Sequence, residues 1–321
     1  MLKSDETLQF LHCNQYIVDL DLSGLSLTGL DLSDKQFSRV SLRGADLSGS
    51  SLVGSQFREC DFSGALLNST ECTNASFASC RLADTLFVGA SLYNATLVQC
   101  ETRKLDFNQA NLERFTVIAT PLLGALFNDN NLTSAIFTAT ALDRVKFPGC
   151  RLTLAVFEQA SLQEADFSGT DLSKCRFTGA NLNGAKFTGA QGSFAGFIDA
   201  RAEKADFSGA VLTMANFSGA VLDGAGFAHA CLEKSLFVGA SLKKAVLIGA
   251  KLAYTNFSRA VVTGADFSEA DLSVANLHRA NFSEARLAGT KMQGARETDQ
   301  ELAKGENWVS PLNIQQETNN G

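Results

Sequence analysis

A register that sets a large apolar residue at nearly every fifth position runs from Leu22 to Met292 without one insertion or deletion. The stretch 161–190 shows the frame: Leu162, Phe167, Leu172, Phe177, Leu182 and Phe187, each preceded two residues earlier by Ala160, Ala165, Thr170, Cys175, Ala180 or Ala185. We call the large residue position i. Residues 20–294 contain 55 such pentads, and in 51 of them i is Leu, Phe, Val or Met; the exceptions are Cys72, Thr102, Gly192 and Ala202. Position i−2 is Ala, Ser, Thr or Cys in 46 of them. A column this regular excludes a globular chain of mixed elements and varied loops, and places the protein among repeat architectures.

A period of five fits neither a helix nor a long strand. A helix buries residues spaced three and four apart, so a five-residue spacing would wind its apolar side chains around all sides. Within a pentad, i−2 and i alternate with an outward i−1, as in a short strand. Positions i+1 and i+2 are rich in Ser, Gly, Thr, Asn and Asp, which form turns. Each pentad therefore reads as a three-residue strand followed by a corner. Phe recurs every twenty residues at 87, 107, 127, 147, 167, 187, 207 and 227, and a second Phe column runs through 137, 157, 177, 197, 217, 237 and 257. Leu dominates the columns between, as at 122, 142, 162, 182, 222 and 242. This pattern predicts four pentads per coil, with two opposite Phe ladders and two opposite Leu ladders. Residues 20–294 would make nearly fourteen coils, a rod about 65 Å long at roughly 4.8 Å per coil.

The segments Ala165-Asp166-Phe167, Ala180-Asn181-Leu182, Ala265-Asp266-Phe267 and Ala280-Asn281-Phe282 carry an A-[D/N]-L-x-x pattern. In this the chain resembles the pentapeptide-repeat family over about six-sevenths of its length. The resemblance implies an all-β fold, a right-handed quadrilateral parallel β-helix with short terminal helical caps.

Because each coil of a repeat protein contacts only its neighbours, a 321-residue chain can form one domain. We assign residues 1–19 to an N-terminal cap, 20–294 to the β-helix, 295–311 to a C-terminal helical cap and 312–321 to a disordered polar tail. The caps answer a physical need, since the open end of a β-helix exposes unpaired strand edges. Asp5 to Tyr16 predicts a short helix that sets Leu8, Phe10 and Leu11 near the first coil. Thr298-Asp299-Gln300-Glu301 has capping-box spacing and predicts a helix ending near Gly305. No stretch is long and apolar enough to span a membrane. The first residues lack the apolar run of a secretory signal, so the expected location is cytoplasmic, with a secreted effector bearing a cryptic signal as the alternative.

Nothing in the sequence assembles a catalytic site, and we expect no enzyme, no cofactor and no metal. Of the eight cysteines, Cys60, Cys80, Cys100, Cys150 and Cys175 occupy i−2, where Ala normally sits, and Cys72 occupies i. That position predicts reduced, packed thiols rather than disulfides. His12, His229 and His278 show no ligand spacing and read as surface histidines. The frequent Asp at i−1 belongs to the repeat, and a smooth rod offers no cleft. Gly169, Gly179, Gly189, Gly209 and Gly219 sit at i+2, where a positive φ would help the corner.

The formal net charge is −7. The face whose i residues run from 27 to 287 carries Asp46, Asp106, Asp129, Asp166, Asp206, Asp266 and Glu269 against Lys146, Lys186 and Arg286. These acids are the candidate interaction surface. The opposite face carries Lys35, Arg39, Arg58, Arg176, Arg259 and Arg279 against Glu59, Glu158 and Asp199, so the rod is dipolar. Well-understood members of the family mimic duplex DNA and act on DNA gyrase or topoisomerase to protect it from quinolones. That role demands acid along most of the length, and this chain interrupts it with Lys243-Lys244 and Arg103-Lys104. The favoured expectation is a non-enzymatic rod or scaffold that binds a protein partner, of the kind found in bacterial pentapeptide-repeat proteins. The alternatives are a gyrase-directed DNA mimic and a secretion-associated adaptor or effector. With no basic stripe, direct nucleic-acid binding is not expected. The family resemblance also suggests a homodimer through a coil end, for which Trp308, Leu312 and Ile314 offer apolar surface.

The frame weakens in two places. Around 100–120, Thr102 replaces the apolar residue at i while Leu105 and Phe115 overfill i−2, so a local widening is expected there, followed by Pro121 at i−1. At Gly192 and Ala202 the Leu ladders are underfilled, and Phe194 is expected to fold back into the first gap.

Overall fold

The computed structural model describes residues 4–306. Helix α1 (Ser4–Cys13) leads into a parallel solenoid. Seven three-residue strands stack in one sheet: β1 (Tyr16–Val18), β2 (Gln36–Ser38), β3 (Gln56–Arg58), β4 (Ser76–Ala78), β6 (Thr96–Val98), β8 (Thr116–Ile118) and β9 (Ile136–Thr138). A second face pairs β5 (Arg81–Ala83) with β7 (Glu101–Arg103). Every pairing is parallel with a register of twenty, as in Phe37↔Phe57 and Phe57↔Phe77. The regular strands of the first sheet thus span six turns. Beyond them the same stacking continues as single bridges, through Val156↔Arg176 and onward to Asn276↔Arg296. Helix α2 (Gln300–Glu306) closes the described chain. Among the described residues no helix is long and apolar enough to cross a membrane.

The pentad frame places the core. Ala165, Phe167, Leu172, Cys175, Phe177 and Leu182 are all fully buried. Along each Phe ladder the rings stack, with centroids 5.1 Å apart for Phe167–Phe187 and 5.0 Å for Phe177–Phe197. The two ladders also meet across the core edge to face, as in Phe167–Phe177 at 5.5 Å and 79°. Such offset and T-shaped contacts suit the ring quadrupole.

Between coils the backbone bonds repeat every twenty residues: Leu42 N–H donates to Asp61 O at 2.7 Å, and Asp61 N–H donates to Val40 O at 3.0 Å. Within a pentad the corner is closed by an amide three residues on, as in Ala165 N–H to Leu162 O at 3.1 Å. Each i+2 residue from Asp19 to Gly294 has a φ between 48° and 71°. The glycines at i+2 fulfil the expectation, but thirty-five residues other than glycine adopt the same left-handed conformation.

On the face of β2, β3 and β4 the corner is built differently. No amide closes back onto the carbonyls of Phe37, Phe57 and Phe77. There these oxygens belong to the parallel strand ladder, and the thiols of Cys60, Cys80 and Cys100 reach them as well, at 3.5, 3.4 and 3.3 Å. These three cysteines are buried at i−2, as the sequence predicts.

The caps differ in detail from expectation. Of the three apolar residues expected to cap the first coil only Leu11 is buried, while Leu8 and Phe10 stay 37% exposed. At α2 the N-cap is Asp299, whose carboxylate accepts from the amides of Glu301 and Leu302 at 3.0 Å. Thr298 turns away to accept from Arg279 N–H at 3.0 Å. Trp308, Leu312 and Ile314, and the tail at 312–321, lie outside the described residues.

Candidate interaction surfaces

The acidic column is the surface that the sequence singles out. Its aspartates at i−1 close their own corners: Asp46, Asp106, Asp166, Asp206 and Asp266 each accept from the amide two residues on, at 2.9–3.0 Å. Asn does the same elsewhere, as Asn216 does for Ser218. The Asp or Asn of the repeat thus serves the turn, an Asx geometry. The Ser48 hydroxyl and amide hold the Asp46 carboxyl below the usual 3.8. Along the stack, Lys146, Asp166, Lys186 and Asp206 are successive rungs, and Asp266 pairs with Arg286 at 3.6 Å. Asp129 and Glu269 stand at left-handed corners of the same face. The acids share one side of the rod, but interleaved cations break their field.

The opposite, basic face is paired off too. Arg39 meets Asp19 at 2.7 Å, Arg58 meets Glu59 at 3.3 Å and Arg176 meets Glu158 at 3.1 Å. Arg259 and Arg279 both clasp Glu306, at 2.5 and 2.8 Å. These arginines, with His278, draw the Glu306 carboxyl down to about 2. His278 is buried rather than a surface residue, and its Nδ1 accepts from Asp299 N–H at 3.2 Å. Helix α2 is locked onto the last coils by this cluster. Among the described residues no group of three or more His, Cys, Asp or Glu could hold a metal ion.

The expected widening lies about one coil further on than the sequence predicts. Leu105 and Phe115 fit inside, fully buried. The ladder opens instead where prolines intervene. Pro121 has no N–H to give, and Thr102 meets its carbonyl through the hydroxyl rather than the amide. One face on, the amides of Gly124, Phe127 and Lys146 lack the inter-coil bonds that equivalent residues make elsewhere. A cleft of about 470 Å³ results, lined by Leu126, Phe127, Arg144, Lys146 and Pro148.

The feature that sequence reasoning missed is one corner column. At i+2 it reads Asp34, Gly54, Asn74, Asn94, Arg114 and Ser134 in its first half. Apart from Arg114, these are small or Asx residues suited to left-handed backbone. From residue 154 the same column reads Leu154, Lys174, Phe194, Met214, Lys234, Tyr254 and Val274, at φ 59–64°. In the other three corner columns no apolar residue larger than alanine holds this conformation. A bulky residue there costs on the order of 1 kcal/mol or more, and a β-branched one such as Val274 is a marked outlier. None of this relieves the core. Phe194 is 57% exposed and Tyr254 59% exposed. Phe194 therefore does not fold back into the Gly192 gap. Leu154, Met214 and Val274 complete the exposed apolar edge, and among the described residues neither Lys174 nor Lys234 has an ion-pair partner. At roughly 4.8 Å per coil the edge runs about 29 Å. Sorting the i+2 residues into corner columns at the period of twenty, as for the Phe ladders, would have revealed it.

A family model described as pentapeptide repeats matches eight copies, at residues 21–58, 36–70, 55–92, 150–189, 203–239, 232–264, 240–279 and 263–296, well over half of the chain. The unmatched stretches 93–149 and 190–202 hold the two irregular regions. Among solved structures, HetL, a pentapeptide repeat protein involved in heterocyst differentiation regulation in Nostoc sp. strain PCC 7120, is 22% identical, covering 91% of this chain and 98% of HetL at a TM-score of 0.24. QnrB1, a plasmid-mediated fluoroquinolone resistance protein, is 22% identical over 54% of this chain and 86% of its own, at a TM-score of 0.27. A thylakoid-lumen pentapeptide repeat protein of Arabidopsis thaliana is 32% identical over 36% of this chain and 71% of its own, at 0.24. A search of curated proteins finds no match.

Proposed function

This chain belongs to the pentapeptide-repeat family, and on that premise we propose that it is a non-enzymatic scaffold that binds another protein along the corner from Leu154 to Val274. The observation that carries this reading is the strained apolar edge. Its residues sit in backbone that disfavours them, they pack nothing in the core, and the first half of the same column shows that the fold does not need them. Strain kept without a folding benefit is a sign of function. An exposed apolar row with two unpaired lysines suits a protein surface better than a small ligand.

A DNA-mimicking surface finds less support. It would need an unbroken acidic run, and the Asp column alternates with Lys146 and Lys186. The test is a pull-down with the full chain against a variant carrying glycine at Leu154, Phe194, Met214, Tyr254 and Val274. Glycine suits the φ of every one of these positions, so the rod should fold. Partners retained by the variant would refute the corner as the binding edge. Inhibition of gyrase supercoiling by the wild type would favour the mimic instead.

A further inference from the structure

Resting on that reading of the corner, we infer that the partner it fits is a second copy of this chain, docked side by side and antiparallel, with the two-fold axis at Met214. The order of side chains along the edge is complementary to its own reverse. A two-fold at the middle residue sets Leu154 against Val274 of the second copy, apolar on apolar. It sets Lys174 against Tyr254, and Phe194 against Lys234. Met214 meets itself.

The coils are stacked at constant register, so the pairing follows from the backbone. Each of these seven residues lies twenty from the next, at the same corner and nearly the same φ. An antiparallel partner with the same spacing therefore stays in step from one end of the edge to the other. Both lysines of each copy find an aromatic face, a contact suited to an ammonium that lacks a carboxylate partner. A parallel arrangement would instead oppose Lys174 to Lys174 and Lys234 to Lys234. Isologous contacts of this kind demand such self-complementarity. Seven exposed side chains on each copy would bury on the order of 1,000 Å² in total, near the lower bound for a specific interface, so the dimer should be of micromolar affinity.

The experiment is sedimentation equilibrium on the full chain across the micromolar range. We expect reversible association to twice the chain mass. Phe194→Lys should abolish it by opposing lysine to lysine, and Met214→Glu should abolish it by placing two carboxylates on the axis. The double variant Phe194→Lys/Lys234→Phe should restore it, because the cation and ring merely change sides. All three exchange one side chain for another at unchanged φ, and circular dichroism melts check that each folds. A wild-type monomer at every concentration, or a double variant that stays monomeric while folded, overturns the inference. If the wild type is monomeric but the glycine variant loses a different captured protein, the second copy is refuted and the binding corner stands. If the wild type dimerises and the swap restores it, both stand.

Discussion

A δ-methyl of Leu212 stands 2.8 Å from the point where a Cβ on Gly192 would lie. The gap left in the Leu ladder is filled by the leucine one coil above, not by Phe194. Because the methyl is the free end of a flexible side chain, Gly192→Leu should be accommodated as Leu212 turns back. The variant then fills the ladder and loses the unfolded-state freedom of glycine, so it should raise stability by about 1 kcal/mol. A lower midpoint in urea unfolding would show that the gap is a designed part of the packing.

The thiol of Cys80 donates to Phe57 O at 3.4 Å, where the turn amide is missing. Cys80→Ala should cost about 1 kcal/mol through one lost thiol hydrogen bond and the small void left at the buried position. Cys80→Thr should recover most of it, since Thr140 already donates to Val117 O at 3.4 Å in the same column. Equal stability of the Ala and Thr variants would reduce the cysteine to a space filler.

The repeat predicted the frame, the inward positions and the packed cysteines, because these follow from side-chain size at fixed spacing. It could not show why Asp46 or Cys80 sits where it does. That reason is a hydrogen bond to a backbone group two residues on or one coil away, which only the turn geometry exposes. Glycine at i+2 advertised the left-handed corner, yet Arg39, Leu154 and Tyr254 hold the same conformation and carry no such signal. The misplaced widening has a similar origin. Leu105 and Phe115 looked oversized by type, and the ladder failed instead just past Pro121, at the amides of Gly124, Phe127 and Lys146.

Asp21, Asp46, Asp266 and Asp271 are each held below the usual 3.8 by the hydroxyl and amide of the serine two residues on. A lowered folded value means that the stabilisation is fully present above 3.8 and is lost as pH falls through the folded values. The rod should therefore weaken on acidification below about pH 4. Replacing Asp46, Asp266 and Asp271 by Asn should leave neutral stability nearly unchanged, because the amide oxygen can accept the same bond. The acid loss should shrink, as read from thermal midpoints against pH. An unaltered acid limb would assign it to other carboxylates.

Glu306 joins α2 to Arg259, Arg279 and His278. Glu306→Gln should raise amide exchange in Gln300–Glu306 severalfold while leaving the global midpoint unchanged, since the cluster lies at the end of the solenoid and terminal units open independently. A drop in the global midpoint would make this helix part of the cooperative unit.

The corner column gives the sharpest prediction, because function and folding pull in opposite directions there. Phe194 and Tyr254 hold φ values of 62° in backbone where Gly54, Asn74 and Asn94 stand in the earlier coils. Phe194→Gly and Tyr254→Gly should therefore stabilise the rod by about 1 kcal/mol each, and Phe194→Asn by somewhat less. Glycine's greater freedom in the unfolded chain offsets part of that gain, which is why the Asn variant is the needed control. The same substitutions should weaken binding along the edge. A variant that is both less stable and still fully able to bind would show that the aromatic side chains serve the fold after all, by covering the corner from solvent.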